Sequence, residues 1–304
     1  MNPYQQSAVF LWIRAHLPVT LCSVVLLFGI APLITYTDLG GASAATSSSS
    51  SYKISAIETV PANQSFVKSV VKSAAAKSST MGCGGEIVSP ENAQFEQRVV
   101  ELINGERDEA GLPPLKMVVG LTNAARYHVA DLVENTYFEH DSYDRINDHL
   151  VRVCEWKKRV QAYYPTPLAE VLTHGPATPQ TVVQAWMEQG TQQILGEYRE
   201  IGVGYSHQHW VQTLGTRTEL YPLVINGEAM RTDDTRVSLY IYGTWDEIRL
   251  RNNGGEWSDW LPFANTMDWT LEDSAGQQIV EAEMRTSTTS ASSSDMIDVA
   301  LMEN

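Results

Sequence analysis

Two imidazoles and one carboxylate from distant segments, His140, His209 and Glu170, are side chains of types that could do chemistry together. A neutral imidazole binds zinc at about 2.0–2.1 Å, and a two-histidine site becomes tight only with a further protein ligand. Glu170 is the right type to be that ligand, or to act as base on a metal-bound water whose pKa a catalytic zinc lowers to about 7. The two roles exclude each other. The same trio also reads as a hydrogen-bonded polar cluster that pins helix ends to a strand without turnover, because buried polar groups are paired in any case.

Signals for other chemistry are poor. HExxH, GxSxG and a phosphate-cradling glycine loop are all missing from the sequence. The three cysteines, Cys22, Cys83 and Cys154, include no CxxC and are too few for a four-thiolate zinc site. Lys157 and Lys158 stand near Cys154 and could depress its pKa, but a disulfide to Cys83 is the better reading in an oxidising compartment, where Cys22 leaves with an export signal. Asp233-Asp234 reads as solvated charge in a turn.

Several elements position these residues. Ser89-Pro90-Glu91 has the cap, proline and early acid of a helix start. Phe95, Val99, Leu102 and Ile103 follow at helical spacing, and Gly111 ends the run. After a Leu112-Pro113-Pro114-Leu115 corner, a second helix is expected from about Gly120 to Asn135. His128 lies on its apolar face and reads as structural. Thr178-Pro179 opens a third helix carrying Val182, Val183 and Trp186. Ile201 to Tyr205 and His209 to Leu214 make a hairpin in which Gly202 and Gly204 mark close packing.

Beyond about Thr216 the pattern changes to short strand-like runs: Tyr221 to Ile225, Val237 to Tyr242, Glu247 to Arg251, Glu256 to Phe263 and Gln277 to Met284, with a strong turn at Asn252-Asn253-Gly254-Gly255. This spacing suggests a small β-sandwich. Four of the eight tryptophans, Trp245, Trp257, Trp260 and Trp269, fall here and read as core filler rather than a sugar platform. Trp257 and Trp260 are three apart, so a regular strand would point them to opposite faces.

Leu17 to Ile34 is uncharged and is followed by Ala42-Ser43-Ala44, which reads as a cleaved signal peptide over residues 1–44. The alternative is an uncleaved anchor, since 18 residues span roughly 27 Å as a helix. Residues 45–90 are Ser/Ala/Lys-rich and read as a flexible linker, and residues 287–304 as a disordered tail. Of 304 residues, 36 are acidic and 21 basic, a formal net charge of −15. Such a surface repels phosphate backbones and makes nucleic acid a poor partner.

Five blocks, VVELINGERDEAGLPPL, LTNAARYHVADLVENTYFEHDS, PLAEVLTHG, VVQAWMEQG and EIGVGYSHQHWVQTLG, resemble in order and spacing the CAP superfamily (SCP-like: cysteine-rich secretory proteins, antigen 5, pathogenesis-related 1), above all its bacterial secreted branch. The resemblance covers residues 91–216. It implies an α+β fold: a CAP-type α/β/α sandwich, followed here by an immunoglobulin- or fibronectin-like sandwich over 217–286. It also implies a cleft lined by two histidines and two acids, in some members holding a divalent metal. His140 matches the first histidine in Phe138-Glu139-His140, and Glu170 matches the acid of the family's Glu-Asn block, with Val171 replacing Asn. His209 matches a His-x-x-Gln strand, and Glu188, two residues after Trp186, is nearest to the second acid. The Gly-His-Arg step common after that tryptophan is replaced by Gly190-Thr191-Gln192, and Ile146 to Tyr164 looks like an extra helix covering the cleft.

The reading is therefore of a secreted or cell-surface binding module with a zinc or other divalent-metal cleft and an extracellular ligand of cell-wall, lipid or protein type. Membrane contact would come only through an uncleaved N-terminal segment. The alternatives are a metal-assisted hydrolase of peptide or cell-wall substrate, with Glu170 catalytic and His140 and His209 as ligands, and a non-catalytic scaffold.

Overall fold

Helix-period runs and period-two runs divide this chain into two parts, and the fold follows that division. The computed structural model describes residues 53–58, 80–188 and 192–300; the expected export signal lies outside them. The first part contains β1 (Lys53–Glu58), α1 (Ala93–Glu109), β2 (Lys116–Met117), α2 (Val119–Asn135), β3 (Ser142–Ile146), β4 (His149–Cys154), α3 (Trp156–Gln161), β5 (Pro167–His174), α4 (Pro179–Glu188), β6 (Glu200–Ser206) and β7 (His209–Gly215). Its central sheet has the order β1-β5-β7-β6-β2.

Period-two alternation gives this sheet two apolar faces. Ala169, Val171, Ile201, Val203, Trp210 and Leu214 pack against Val99, Val100 and Ile103 of α1 and Val182, Val183 and Trp186 of α4. On the opposite face, Leu172 and Val211 meet Ala125, Val129 and Leu132 of α2. The result is an α/β/α sandwich. Its helix–strand approach depends on two glycines: a Cβ on Gly202 would overlap the Leu121–Thr122 backbone, and one on Gly204 would lie 2.5 Å from the Ala125 carbonyl carbon. Gly202→Ala is expected to cost at least about 2 kcal/mol, as overpacking against an immobile backbone does. A chemical-denaturation midpoint equal to that of the parent would refute this.

Local chemistry sets the ends of the helices. The Asn92 side chain accepts from the Phe95 amide, so α1 starts three residues past the expected Pro90. Gly111, with φ of +71°, follows its last turn. At α4 the Thr178 hydroxyl accepts from the Thr181 amide, in the expected place. His207 and Gln208 both adopt positive φ and make the two-residue turn between β6 and β7.

Three expectations change. Lys53–Glu58, read as linker, is a strand paired antiparallel with β5, and Thr80, Gly82 and Cys83 are tied to the first domain. Ile146 to Tyr164 begins as the turn and second strand of a hairpin, because Asn147 and Asp148 both adopt positive φ and turn the chain back; only Trp156–Gln161 is helical. The expected tail contains β15, whose alternate residues Ile297 and Val299 are buried.

The second part consists of β8 (Leu223–Ile225), β9 (Arg231–Thr232), β10 (Arg236–Ile241), β11 (Glu247–Asn252), β12 (Leu261–Pro262), β13 (Thr266–Thr270), β14 (Gly276–Arg285) and β15 (Ser290–Val299). They form sheets ordered β13-β10-β8 and β12-β11-β14-β15-β9, whose inward side chains share one core that includes Leu239, Ile241, Leu250, Val280 and Ile297. Trp245 and Trp269 pack against this core. Trp257 and Trp260 do not take opposite faces, since the Arg249 guanidinium lies 4.8 Å from each ring. They lie outside regular strand, which removes the alternation rule.

Candidate functional site

Glu170 lies in the middle of β5 with its side chain on the α2 face, entirely buried. A carboxylate in that position needs a cation, and Arg159 of α3, also fully buried, supplies one by donating from Nη2 to Glu170 Oε2. The other guanidinium nitrogen of Arg159 donates to the His140 carbonyl at 2.6 Å. His140 approaches from the loop after α2, with Nδ1 3.0 Å from Glu170 Oε1 and Nε2 2.8 Å from Ser55 Oγ of β1. An ionised carboxylate only accepts, so Nδ1 carries a proton and donates to Glu170.

His128 completes the group. Its Nε2 donates to the Glu139 carbonyl at 3.0 Å and lies 3.9 Å from Glu170 Oε1. Its Nδ1 has no hydrogen-bond partner among the described residues. Burial, followed by the charge of Arg159, pushes the His128 pKa down and keeps the ring neutral. For Glu170, burial alone would raise the pKa, but Arg159, His128 and His140 together outweigh it and hold the group at about 2.

The four residues carried over from the sequence do not converge. The sheet register pairs Glu170 with Thr213 and His174 with His209, so His209 lies four residues, roughly 13 Å, along the strands from Glu170. There its ring stacks on His174, with centroids 4.1 Å apart. Glu188 is exposed at the end of α4 and accepts from Gln184. Of the expected set, only His140 and Glu170 meet. Sequence reasoning missed Arg159, Ser55 and the participation of His128. The signal for Arg159 was the basic run Lys157-Lys158-Arg159 in the segment expected to cover the cleft.

The donor set does not fit a divalent cation. Both oxygens of Glu170 and both nitrogens of His140 already have partners, and a permanent guanidinium occupies the position where a metal charge would be stabilised. Among the described residues, no three His, Cys, Asp or Glu side chains are arranged to hold a metal.

Cys83 and Cys154 are joined as a disulfide, and Cys154, at the end of β4, leads directly into the helix that carries Arg159.

A model of the cysteine-rich secretory protein family, CAP, matches residues 100–213, the stretch that holds His140, Arg159 and Glu170. The match is to this domain and not to the whole chain. The protein YkwD of Bacillus subtilis (strain 168) is 36% identical over 125 residues, which are 39% of this chain and 46% of that relative. The chain thus spans under half the length of this relative. Two solved structures are similar to part of the chain. An extracellular protein containing an SCP domain from Bacillus anthracis shares 23% identity at a TM-score of 0.36, with 40% of each chain covered. An outer surface protein of Borrelia burgdorferi shares 18% at a TM-score of 0.33, over 40% of this chain and 90% of that one.

Proposed function

We propose that this chain is an exported, non-catalytic CAP-domain protein that acts by binding, with the Glu170 cluster serving as an internal pin rather than a metal centre. The observation that carries this reading is the Arg159–Glu170 pair. It joins α3 to β5 and gives Glu170 a permanent counter-charge that needs no cofactor. Export is supported by the Cys83–Cys154 disulfide, because such bonds persist in oxidising compartments.

The hydrolase alternative requires Glu170 to accept a proton near neutral pH. A carboxylate held at about 2 by an ion pair is a poor base there. Purified protein equilibrated with excess zinc and then desalted is expected to retain less than stoichiometric metal at this cluster, with no His140-dependent rise in melting temperature. Stoichiometric zinc that is lost in His140→Ala would overturn the reading, and the use of that variant separates this cluster from the stacked His174–His209 pair.

A further inference from the structure

Four large apolar side chains left exposed among the described residues, Val119, Met230, Ile279 and Met296, line a single cleft. Isolated apolar residues are ordinary on a surface, whereas a concave cluster marks a place where something binds. Val119 is 76% exposed and Met296 54%, values that leave their side chains available to a ligand. The cleft runs between the start of α2 and the outer face of the β14–β15 hairpin, where the CAP domain meets the β domain. Its volume is about 670 Å³, inside the range of ligand sites, which favour domain interfaces.

The base of the cleft is preformed. Lys116 of β2 is ion-paired to Glu228 at 2.7 Å and to Asp295 of β15. Nearby, Asn104 donates to the Gly227 carbonyl at 2.9 Å, and the Met230 amide donates to Glu101 at 2.9 Å. These bonds fix the two walls relative to each other, so little ordering cost remains for a ligand.

Each wall has a regular spacing. Val119, Thr122, Asn123 and Arg126 follow one face of α2 over about 10 Å. Opposite them, Ile279 and Met296 are cross-strand partners, and so are Gln277 and Asp298. The Thr122 hydroxyl is buried in this wall and out of reach of an entering group. The Asn123 carboxamide stands on the α2 wall, while Gln97 already donates to the Glu228 carbonyl at 2.5 Å and Gln277 to the Met296 thioether at 3.2 Å. A carboxamide offers one acceptor and two donors, the complement of a peptide bond.

Charge selects among ligands. Of the charged lining residues, Arg126 is paired with Glu96 at 2.6 Å and Asp298 with Arg231 at 3.2 Å, while Glu228 and Asp295 share the single ammonium of Lys116, which leaves one carboxyl in excess. The chain as a whole carries −15. An entering group with positive charge is favoured and an acidic one is opposed.

The geometry points to a peptide-binding site that takes an extended segment of three or four residues with a large apolar side chain beside a Lys or Arg. The length follows from a wall of about 10–13 Å at about 3.3 Å per extended residue. The apolar side chain rests on Met230, Ile279 and Met296, and the flexible thioethers adapt to Leu, Ile or Phe alike. No residue lining this cleft belongs to the Glu170 cluster, so either reading can fail without the other.

The methionine methyls report binding directly. In full-length protein labelled at those methyls, acetyl-Lys-Leu-Phe-Lys-amide at 0.15 M salt, about physiological ionic strength, is expected to shift Met230 and Met296 saturably. Acetyl-Lys-Gly-Gly-Lys-amide should leave them unmoved, and acetyl-Glu-Leu-Phe-Glu-amide should bind at least about tenfold more weakly, 1.4 kcal/mol. The double variant I279S/M296S should lose at least about tenfold in affinity at an unchanged melting temperature, since both side chains are exposed. Absence of saturation, equal binding of the acidic peptide, or shifts produced by laurate and not by the basic peptide would overturn the proposal, the last in favour of an acyl-chain site.

Discussion

Arg159→Leu is expected to lower the unfolding free energy by about 3–5 kcal/mol, the cost of leaving a buried carboxylate without its partner. At about 2–4 °C per kcal/mol for a chain of this size, melting should fall by about 6–20 °C. The double variant R159L/E170L should recover much of the loss, because two apolar residues in place of a buried ion pair are often neutral. Calorimetry on the three proteins tests this, and a single variant within about 1 kcal/mol of the parent would show that the pair is not a pin. The pH dependence has a definite sign. The Glu170 pKa is depressed in the folded state to about 2, so its stabilisation is complete above the ordinary carboxylate range and is lost as pH falls from about 4.5 toward 2. In R159L that acid-side loss should shrink.

Reduction of the Cys83–Cys154 bond is expected to cost about 4 kcal/mol, because the cystines are 71 residues apart and the released loop regains the corresponding chain entropy. The loss should be concentrated locally. The bond holds the irregular stretch before α1 onto the hairpin that leads into α3, where Gly82 donates to Asp144 at 2.9 Å and Tyr163 donates to the Glu86 carbonyl at 2.7 Å. With dithiothreitol, or in Cys154→Ser, melting should fall by about 8–16 °C, and limited proteolysis should cut first between residues 80 and 92. Unchanged melting on full reduction would mean that the hydrogen bonds alone hold the segment.

Much of the CAP sandwich could be read from the sequence because its signals are local. Thr178-Pro179, the Gly111 stop, the α2 face and the Gly202-Gly204 approach each depend on a few neighbouring residues. The site was less legible, because its defining contact links two residues that the sequence places in different kinds of element. Glu170 was recognised by its block, whereas Arg159 lay in a basic run of the segment expected to cover the cleft, and only α3 shows which of its three basic side chains turns inward. His209 was misplaced for a related reason. A His-x-x-Gln string fixes a strand but not which end of that strand faces the cluster, and only the pairing with β5 settles that. At the C-terminal end, β15 was hidden by its Ser-rich composition. Its alternation becomes informative once β14 supplies ten residues of partner register.

That last strand has a consequence for the order of assembly. The Ser293 hydroxyl and the Asp295 carboxylate accept from the Leu223 and Ile225 amides of β8, and Asp295 also engages Lys116 far upstream. A chain emerging N-terminus first can complete its first sheet at β7 and make the Asn104–Gly227 and Met230–Glu101 bonds, but it cannot close its β domain until β15 is free. β15 therefore acts as a completion seal. Chains cut short before it would present a folded CAP domain beside an open, apolar half-sandwich, the kind of surface that quality-control proteases recognise.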